Sequence, residues 1–471
     1  MIIRKGYKFR LKANPEQERL FRIFSGHCRF IWNKALALQM ARLDRKTPLL
    51  SYQDLAGLLK LWKQSEEYGF LQEAHSQIEQ QVLKDLDRAW REGLKRAKGM
   101  PRFRKKGKHD SFRYPQGFKV QGNRVYLPKI GWIGFFKSRN IEGTPKNVTM
   151  SRRGRHWFMS IQIEWEVSDP VKASASAVGL DLGVSRFATL SDGTFYEPLN
   201  SFRRLEKKLA REQRKLSWKQ KFSRNWRKQK EKVARLHLRI ADARNDYLHK
   251  VSSKISKSHA MVVMEDLRVR NLSASSKGTV ESPGHNVRQK AGLNKAILDQ
   301  GWYAFRRMLA YKLTWAGGVL KLVPAQYTSQ TCPECGRVSK DNRRSQAAFR
   351  CEACGYEKHA DLVAAINILR RAGHARIACG DSGLIGRLAQ EPSRHAAKPL
   401  SGIPFVYGGE DVNGDGNNLP AIPGRPPGGG PGGPPGPVPP SAGVRLGPRA
   451  AWSIGARNSS VAAGKPRWPC R

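Results

Sequence analysis

The sequence predicts an α/β multidomain chain with a metal-stapled ribbon in its second half. Three observations predict it. Apolar residues recur with a helical period up to about residue 98 and with a period of two from 112 to 167. Short apolar strand-like runs then alternate with long helical stretches from 178 onward. Four cysteines fall in two close pairs between Cys332 and Cys354. The length of 471 residues allows two or three domains. A hydrophobic content of 39%, with 12 Trp and 18 Phe, is enough for real cores. The formal net charge of +48, from 86 Lys+Arg against 38 Asp+Glu, goes beyond solubility and implies a large polyanionic partner. The opening MIIRKGYKFRLK is too charged for a secretory signal, and no run of about 18 apolar residues could span a membrane.

Residues 2–12 alternate loosely and read as a strand with a basic face. Asn14-Pro15-Glu16 is a helix start, with Asn as cap, Pro at the first position and an acid in the first turn. Leu20, Phe21, Phe24, Cys28, Ile31, Trp32 and Ala35 mark one face of that helix. A second helix begins near Ser51. A third covers about 75–98 with Ile78, Val82, Leu86, Trp90 and Leu94 as its stripe, stopped by Gly99 and Pro101. The basic run Pro101 to Lys108 reads as a solvated face or a nucleic-acid contact. Between 112 and 167 the clearest strand sets Trp157, Met159, Ile161, Ile163, Trp165 and Val167 on one face. Short strands at this spacing suggest a small barrel or sandwich, with strand 2–12 joined to it and the helices as an insertion.

After a linker at 168–177, Val178-Gly179-Leu180 leads into Asp181. A carboxylate inside an apolar strand is costly unless it binds a cation or is hydrogen-bonded. Gly179 and Gly183 leave room for backbone or substrate to come close. Residues 201–250 are helical without internal Pro or Gly and hold 18 Lys+Arg against five acids. Trp218, Phe222 and Trp226 recur every four residues, as a packing seam in a solvated hairpin or as part of a basic arm along a nucleic-acid backbone. The run from Met261 to Met264 reads as a buried strand ending at Glu265, which alone is equally a surface acid or a ligand. Residues 268–292 are polar and irregular, 295–315 a further amphipathic helix, and 318–323 a strand.

Cys332 and Cys335 form one CxxC pair and Cys351 and Cys354 another, with fifteen residues between. Two such knuckles complete the tetrahedron zinc prefers, and Gly336 and Gly355 follow them where the chain must turn. Disulfides are the alternative, and the absence of a secretion signal disfavours them. Cys28, Cys379 and Cys470 are scattered, which fits a reducing compartment. Four thiolates leave no open coordination position, so this zinc is structural. Asp361 then opens an amphipathic helix and, taken alone, reads most simply as its N-cap. Residues 423–440 are Pro or Gly at sixteen of eighteen positions with no collagen-like period, so the tail is expected to be disordered.

Asp181, Glu265 and Asp361 thus stand at the mouths of three different elements. A strand hairpin, a parallel crossover strand and a C-terminal helix are what an RNase H-like sheet offers. Three carboxylates there can hold two hard divalent cations, Mg²⁺ or Mn²⁺, for phosphodiester hydrolysis. Their order of Asp, Glu, Asp differs from that of a cut-and-paste transposase, which ends on Glu.

The chain resembles the TnpB (OrfB) proteins of insertion sequences, transposon-encoded relatives of type V CRISPR effectors. The resemblance runs from KGYKFRLKANPEQERLF and CRFIWNKALAL through PRFRKKGKHDSFRYPQ, LPKIGWIGF, GLDLGV and VVMEDLRVRNL to YTSQTCPECG, FRCEACGYEKHAD and AAINILRR. It covers about residues 1–373 and leaves out the tail. It implies an RNA-guided, Mg-dependent DNA endonuclease with Asp181, Glu265 and Asp361 as catalytic metal ligands, and Cys332, Cys335, Cys351 and Cys354 on one zinc. It implies a β-barrel wedge domain (1–13 and 99–170) interrupted by a helical recognition insertion (14–98). A split RuvC-like nuclease domain follows (176–326 and 359–375), with a basic helical hairpin at 201–255, an inserted zinc ribbon (327–358) and a disordered tail (376–471). The implied partners are a transposon-derived guide RNA and double-stranded target DNA with a short flanking motif, in a prokaryotic cytoplasm at the nucleoid. Where the family often has Arg-Asp-x-Asn-Ala-Ala, this chain has Ala360-Asp361-Leu362-Val363-Ala364-Ala365, a change that points to lower activity. The alternatives are a guided DNA-binding repressor, which should lack an acid, and a strand-transfer transposase.

Overall fold

The structure is a computed structural model describing residues 1–373 apart from 109, 169, 171 and 173–175. The expected disordered tail at 376–471 lies outside the described residues. The chain opens with strand β1 (Ile2–Lys12), then helices α1 (Pro15–Asp44) and α2 (Tyr52–Gln64), a 3₁₀ stretch at Glu66–Glu73, and α3 (Ser76–Leu94). Six strands follow: β2 (Ser111–Tyr114), β3 (Lys119–Gln121), β4 (Arg124–Leu127), β5 (Gly131–Phe135), β6 (Thr144–Arg153) and β7 (His156–Glu166). With β1 they form a seven-stranded sheet in the order β2-β6-β7-β1-β5-β4-β3. The first strand is therefore central, paired with β7 from Ile2↔Glu166 to Arg10↔Phe158 and with β5 at Leu11↔Phe135.

The helices form where their end signals say they should. Asn14 accepts from the Gln17 N–H at 2.8 Å while Gln17 reaches back to the Asn14 N–H, a reciprocal cap with Pro15 just inside. Phe21, Phe24, Ile31 and Ala35 of α1 are fully buried with Ile78 and Leu86 of α3 and with Phe9, Tyr114, Trp157 and Ile161 of the sheet. Helices and sheet thus share one core, and Phe21 lies 5.0 Å from Trp157, centroid to centroid.

The second half is built on β8 (Ala177–Asp181), β9 (Ala188–Leu190), β10 (Phe195–Tyr196), α4 (Ser201–Ser217), α5 (Arg224–Ser258), β11 (Met261–Glu265), α6 (Val269–Leu272), α7 (Val287–Gln300), α8 (Trp302–Trp315) and β12 (Val319–Val323). The ribbon strands β13 (Ala348–Arg350) and β14 (Glu357–His359) and helix α9 (Ala360–Arg371) close the described chain. Five strands make a mixed sheet, β10-β9-β8-β11-β12, in which β11 runs parallel to both β8 and β12. The expected single helix over 295–315 is two helices. Gly301 takes φ +71° between them, with Arg244 and Leu248 side chains 3.2 Å from where a Cβ would stand. The hairpin is likewise not one helical run, for the chain turns between Ser217 and Arg224 with Phe222 at φ +67°. The seam between α4 and α5 is Phe202, Leu209, Val233 and Ile240, so Trp218 and Phe222 are not part of it.

Strand alternation sorts the mixed sheet into two faces. Val178, Leu180, Val262 and Met264 pack with Leu248 and Ile255 of α5 and Phe305 and Leu309 of α8. Val263 and Val323 face the other way, onto Ile368 and Leu369 of α9. Gly179 shares that second face. A Cβ built on it would stand 2.0 Å from the Ala365 carbonyl oxygen and 2.9 Å from the Leu369 nitrogen. Only glycine admits a helix backbone this close. Gly179→Ala must therefore push α9 off the sheet, at a cost of about 3 kcal/mol by overpacking. Thermal melting should fall by several degrees, and a variant that melts with the wild type would contradict the packing.

Candidate active site

The same alternation that faces Gly179 toward α9 faces Asp181 that way too. On β11, Met261, Val263 and Glu265 share this face. The register pairs Val263 with Gly179 and Met264 with Leu180, so Glu265 ends its strand beside Asp181, where both parallel strands finish. Open sheets with parallel strands place ligand sites at such carboxyl ends. Helix α9 comes down on Gly179 at Ala365, which carries Asp361, one turn earlier, over the two strand ends. All three carboxylates are half-buried.

Asp361 is not the helix cap expected from its position. The cap is His359, whose Nδ1 accepts from the Asp361 N–H at 3.2 Å. Asp361 sits in the first turn, where the helix dipole favours an anion, and its side chain is left for other work. Burial pushes the Asp181 carboxyl up to about 7, helped by the charges of Glu265 and Asp361, with Arg343 pulling the other way. Burial also raises Glu265, while the Thr328 hydroxyl, donating to its Oε1 at 2.5 Å, opposes the rise. Among the described residues only the four cysteines bring three or more ligand atoms within 4.8 Å of one another. The three carboxylates do not form such a cluster. Their oxygen-only donor set suits a hard divalent cation.

Three residues of this site carry no signal in the linear sequence. Thr328 holds Glu265. Asn367, buried on α9, donates to the Thr328 and Thr331 carbonyls at 2.8 and 2.7 Å and so ties the helix to the start of the ribbon. Arg343 reaches from the ribbon to within 4.0 Å of Asp361. Gly183, expected to admit backbone or substrate, faces backbone, since a Cβ there would meet the Arg186 carbonyl oxygen at 2.8 Å.

In the ribbon the two knuckles are near copies. The Gly336 N–H donates to the Cys332 carbonyl and the Gly355 N–H to the Cys351 carbonyl, both at 3.0 Å, with φ of +75° and +73°. The Sγ atoms of Cys332 and Cys354, and of Cys335 and Cys351, lie 3.5 Å apart. A tetrahedron with metal–sulfur bonds of about 2.3 Å has edges of roughly 3.8 Å, so the four thiols fit one ion. The Cys354 N–H helps hold the Cys351 thiol down to about 6, while burial pushes Cys332 up to about 12. Cys332, Phe349 and Cys351 also pack against Ala360 and Val363 of α9. The two positions that depart from the family pattern are therefore apolar contacts between ribbon and helix.

A mixed sheet with acids at its strand ends, closed by a helix that carries a cysteine ribbon, defines a candidate metal-dependent site. Comparison with known proteins gives the family. The chain is 52% identical over 392 residues to the Escherichia coli (strain K12) protein named "Putative RNA-guided DNA endonuclease InsQ", covering 83% of this chain and 97% of that one. It is 34% identical over 424 residues to a Streptomyces pristinaespiralis protein named "Putative RNA-guided DNA endonuclease", covering 85% and 98%. Residues 160–276 match the OrfB family described as "Probable transposase", 1–46 its "Helix-turn-helix domain", and 302–368 the "Cas12f1-like, TNB domain". A solved chain titled "Cryo-EM structure of the Cas12f1-sgRNA-target DNA complex" superposes with a TM-score of 0.48 at 13% identity, covering 78% of this chain and 98% of that one. This chain belongs to the TnpB (OrfB) family of insertion-sequence proteins. Among the described residues, no helix is long and apolar enough to cross a membrane.

Two outcomes are expected at this site. Cys351→Ser should lose the bound metal, loosen the ribbon and release Ala360 and Val363, displacing Asp361. Full metal content by elemental analysis, with unchanged melting, would contradict it. The second concerns pH. A carboxyl raised from 3.8 to about 7 by folding contributes its full stability below 3.8 and loses it as pH rises through 7. In metal-free buffer, Asp181→Asn should melt higher than the wild type at pH 8. The gap should close toward pH 4, and a pH-independent gap would show that Asp181 is not the titrating group.

Proposed function

We propose that this chain is an RNA-guided DNA endonuclease that hydrolyses phosphodiester bonds at Asp181, Glu265 and Asp361. The observation that carries the assignment is the strand register, which sets Asp181 beside Glu265 beneath the first turn of α9. Residues so far apart in sequence and on three elements meet at the end of a parallel strand pair. Relatives named as RNA-guided DNA endonucleases over nearly their whole length support the same activity.

The three carboxylates would hold two divalent cations, Mg²⁺ or Mn²⁺. Bound there, the pair would supply an activated water and neutralise the leaving 3′ oxygen. The chain's own residues do the positioning. Thr328 orients Glu265 through one carboxylate oxygen. Asp361 stands in the first turn of α9, at the positive end of the helix dipole. Arg343 offers a guanidinium 4.0 Å from Asp361, and it is a donor of the kind suited to phosphate. The ribbon's ion is zinc on this proposal, since four thiolates at tetrahedral spacing suit it and leave no open position. Its work is to fix α9, and through α9 Asp361.

In the proposed layout the seven-stranded sheet is the wedge domain, α1–α3 its recognition insertion, and the five-stranded sheet with α9 the RuvC-like nuclease. Base pairing with a transposon-derived guide RNA would choose the double-stranded target, and the protein would read a short flanking motif. The test is a cleavage assay with copurified RNA and a matched target. Alanine at Asp181, Glu265 or Asp361 should abolish divalent-dependent cutting at least a thousand-fold (~4 kcal/mol at ~1.4 kcal/mol per decade) while RNA and target binding persist. If Asp181→Ala or Glu265→Ala cuts at the wild-type rate, the assignment fails. A wild type that binds its target and leaves it uncut would be the repressor, and joined rather than free ends would mark a transposase.

A further inference from the structure

The turn between α4 and α5 holds two large aromatics that the fold does not use. Trp218 is 79% exposed and Phe222 72%. The helices zip together through Phe202, Leu209, Val233 and Ile240 instead. Phe222 takes the left-handed conformation, which is disfavoured for a bulky L-residue and is adopted here without glycine. Its ring leans on Trp226, centroids 5.6 Å apart at 54°, and the Lys230 ammonium lies 4.9 Å from the Trp226 ring centroid. The Phe222 ring is thus braced from behind, and both rings are bare in front.

Their surroundings select the partner. From Arg214 to Arg235 the chain carries ten Lys or Arg and one acid, Glu231, which is already bound by Arg155 of the β6–β7 turn. Arg153, the last residue of β6, pairs with Asp242 at 2.7 Å, so a second cationic segment lies along α5. A solvated basic face has no use for bare aromatics. A second copy of this chain would set ten cations against ten. A nucleotide strand brings what both features need, negative phosphates for the cations and a π-face for each ring.

We infer that Trp218 and Phe222 form a stacking platform for unpaired bases of a nucleic-acid strand, its backbone held by the cations around them. Only the source of the strand, guide RNA or displaced DNA, rests on the proposed function; the stacking does not. Base stacking adds affinity without adding ions to displace, which sets it apart from the phosphate contacts in a salt titration.

The test uses the full chain, stripped of copurified nucleic acid by nuclease and high salt. Labelled oligouridylate, oligothymidylate and a blunt DNA duplex are titrated at several salt concentrations. Trp218→Ala with Phe222→Ala should weaken at least one single strand by about ten-fold, with an unchanged salt slope and an unchanged melting temperature. Trp218→Phe with Phe222→Tyr should restore most of the loss. Lys219→Ala with Lys221→Ala should instead flatten the salt slope. Loss on the RNA alone assigns the platform to RNA, loss on the DNA alone to DNA, and loss on both to either strand. Unchanged affinity for both single strands overturns the inference. So does an equal loss on the duplex, or a loss of self-association with binding intact. Asp181→Ala should leave this binding untouched, so failure of the nuclease assignment and failure of the platform are read separately.

Discussion

Everything at the candidate site depends on one close contact, the seating of α9 on Gly179. A helix normally stands off a sheet by the length of its side chains. Here the Ala365 carbonyl lies where a β-carbon of residue 179 would be. That approach sets the height of α9, and Asp361 is one turn from the contact. Asn367, two residues on the other side, ties the helix to Thr328 and Thr331, and Thr328 holds Glu265. One packing decision on a backbone without a side chain therefore positions two of the three acids relative to the third. The cysteine ribbon pins the N-terminal end of the same helix through Ala360 and Val363.

The electrostatics follow from this geometry. The chain is strongly cationic, yet the site gathers three carboxylates at half-buried positions, and burial with mutual repulsion raises Asp181 to about 7. Like charges held at one place by the fold store free energy that an arriving divalent cation releases. Arg343 moderates the repulsion. It comes from the ribbon rather than from the sheet, so the cysteine ribbon also supplies charge to the site. On the proposed function, the surrounding excess of Lys and Arg would attract the polyanion, and the local excess of acid would give its phosphodiester a place where cations can bind.

Much of this was legible in the sequence for stated physical reasons. The caps at Asn14 and Ser51, the period of two through Trp157 to Ile163, and the CxxC spacing are local signals, and the structure shows each. Asp181 stood out because an acid in an apolar strand is costly, and Glu265 because it ended one. What was not legible depended on partners distant in sequence. Nothing local distinguishes Thr328, Arg343 or Asn367 from other polar residues. The capping role went to His359 because its ring nitrogen reaches the Asp361 N–H, a geometry the residue string does not encode. Gly301 falls inside the expected helix over 295–315, and what breaks that helix is tertiary, a φ of +71° with Arg244 and Leu248 against the glycine. The break before α5 had only the weak signal of Ser223, whose hydroxyl accepts from the Trp226 N–H.

The misplaced seam is also the informative one. Trp218, Phe222 and Trp226 suggested packing because an unbroken helix would stack them on one side. Once Phe222 turns the chain, Trp218 and Phe222 leave the seam between α4 and α5, and Trp226 remains as the support of the Phe222 ring. Helix α5 runs from this tip to β11, thirty-five residues or about 50 Å at helical rise. That length corresponds to roughly fifteen base pairs of duplex at 3.4 Å each. Glu231 and Asp242 fasten the same helix to the β6–β7 turn and the end of β6 in the other sheet. Strand β11 returns at most about 17 Å along that helix over its five residues, so the tip stands well apart from Glu265 and is joined to it by one helix and one strand. On the inferred platform, a strand gripped at the tip would be held at a distance from the acids that this helix sets. The residues of the tip therefore act on where a nucleic acid lies, and those of the strand ends on what happens to it.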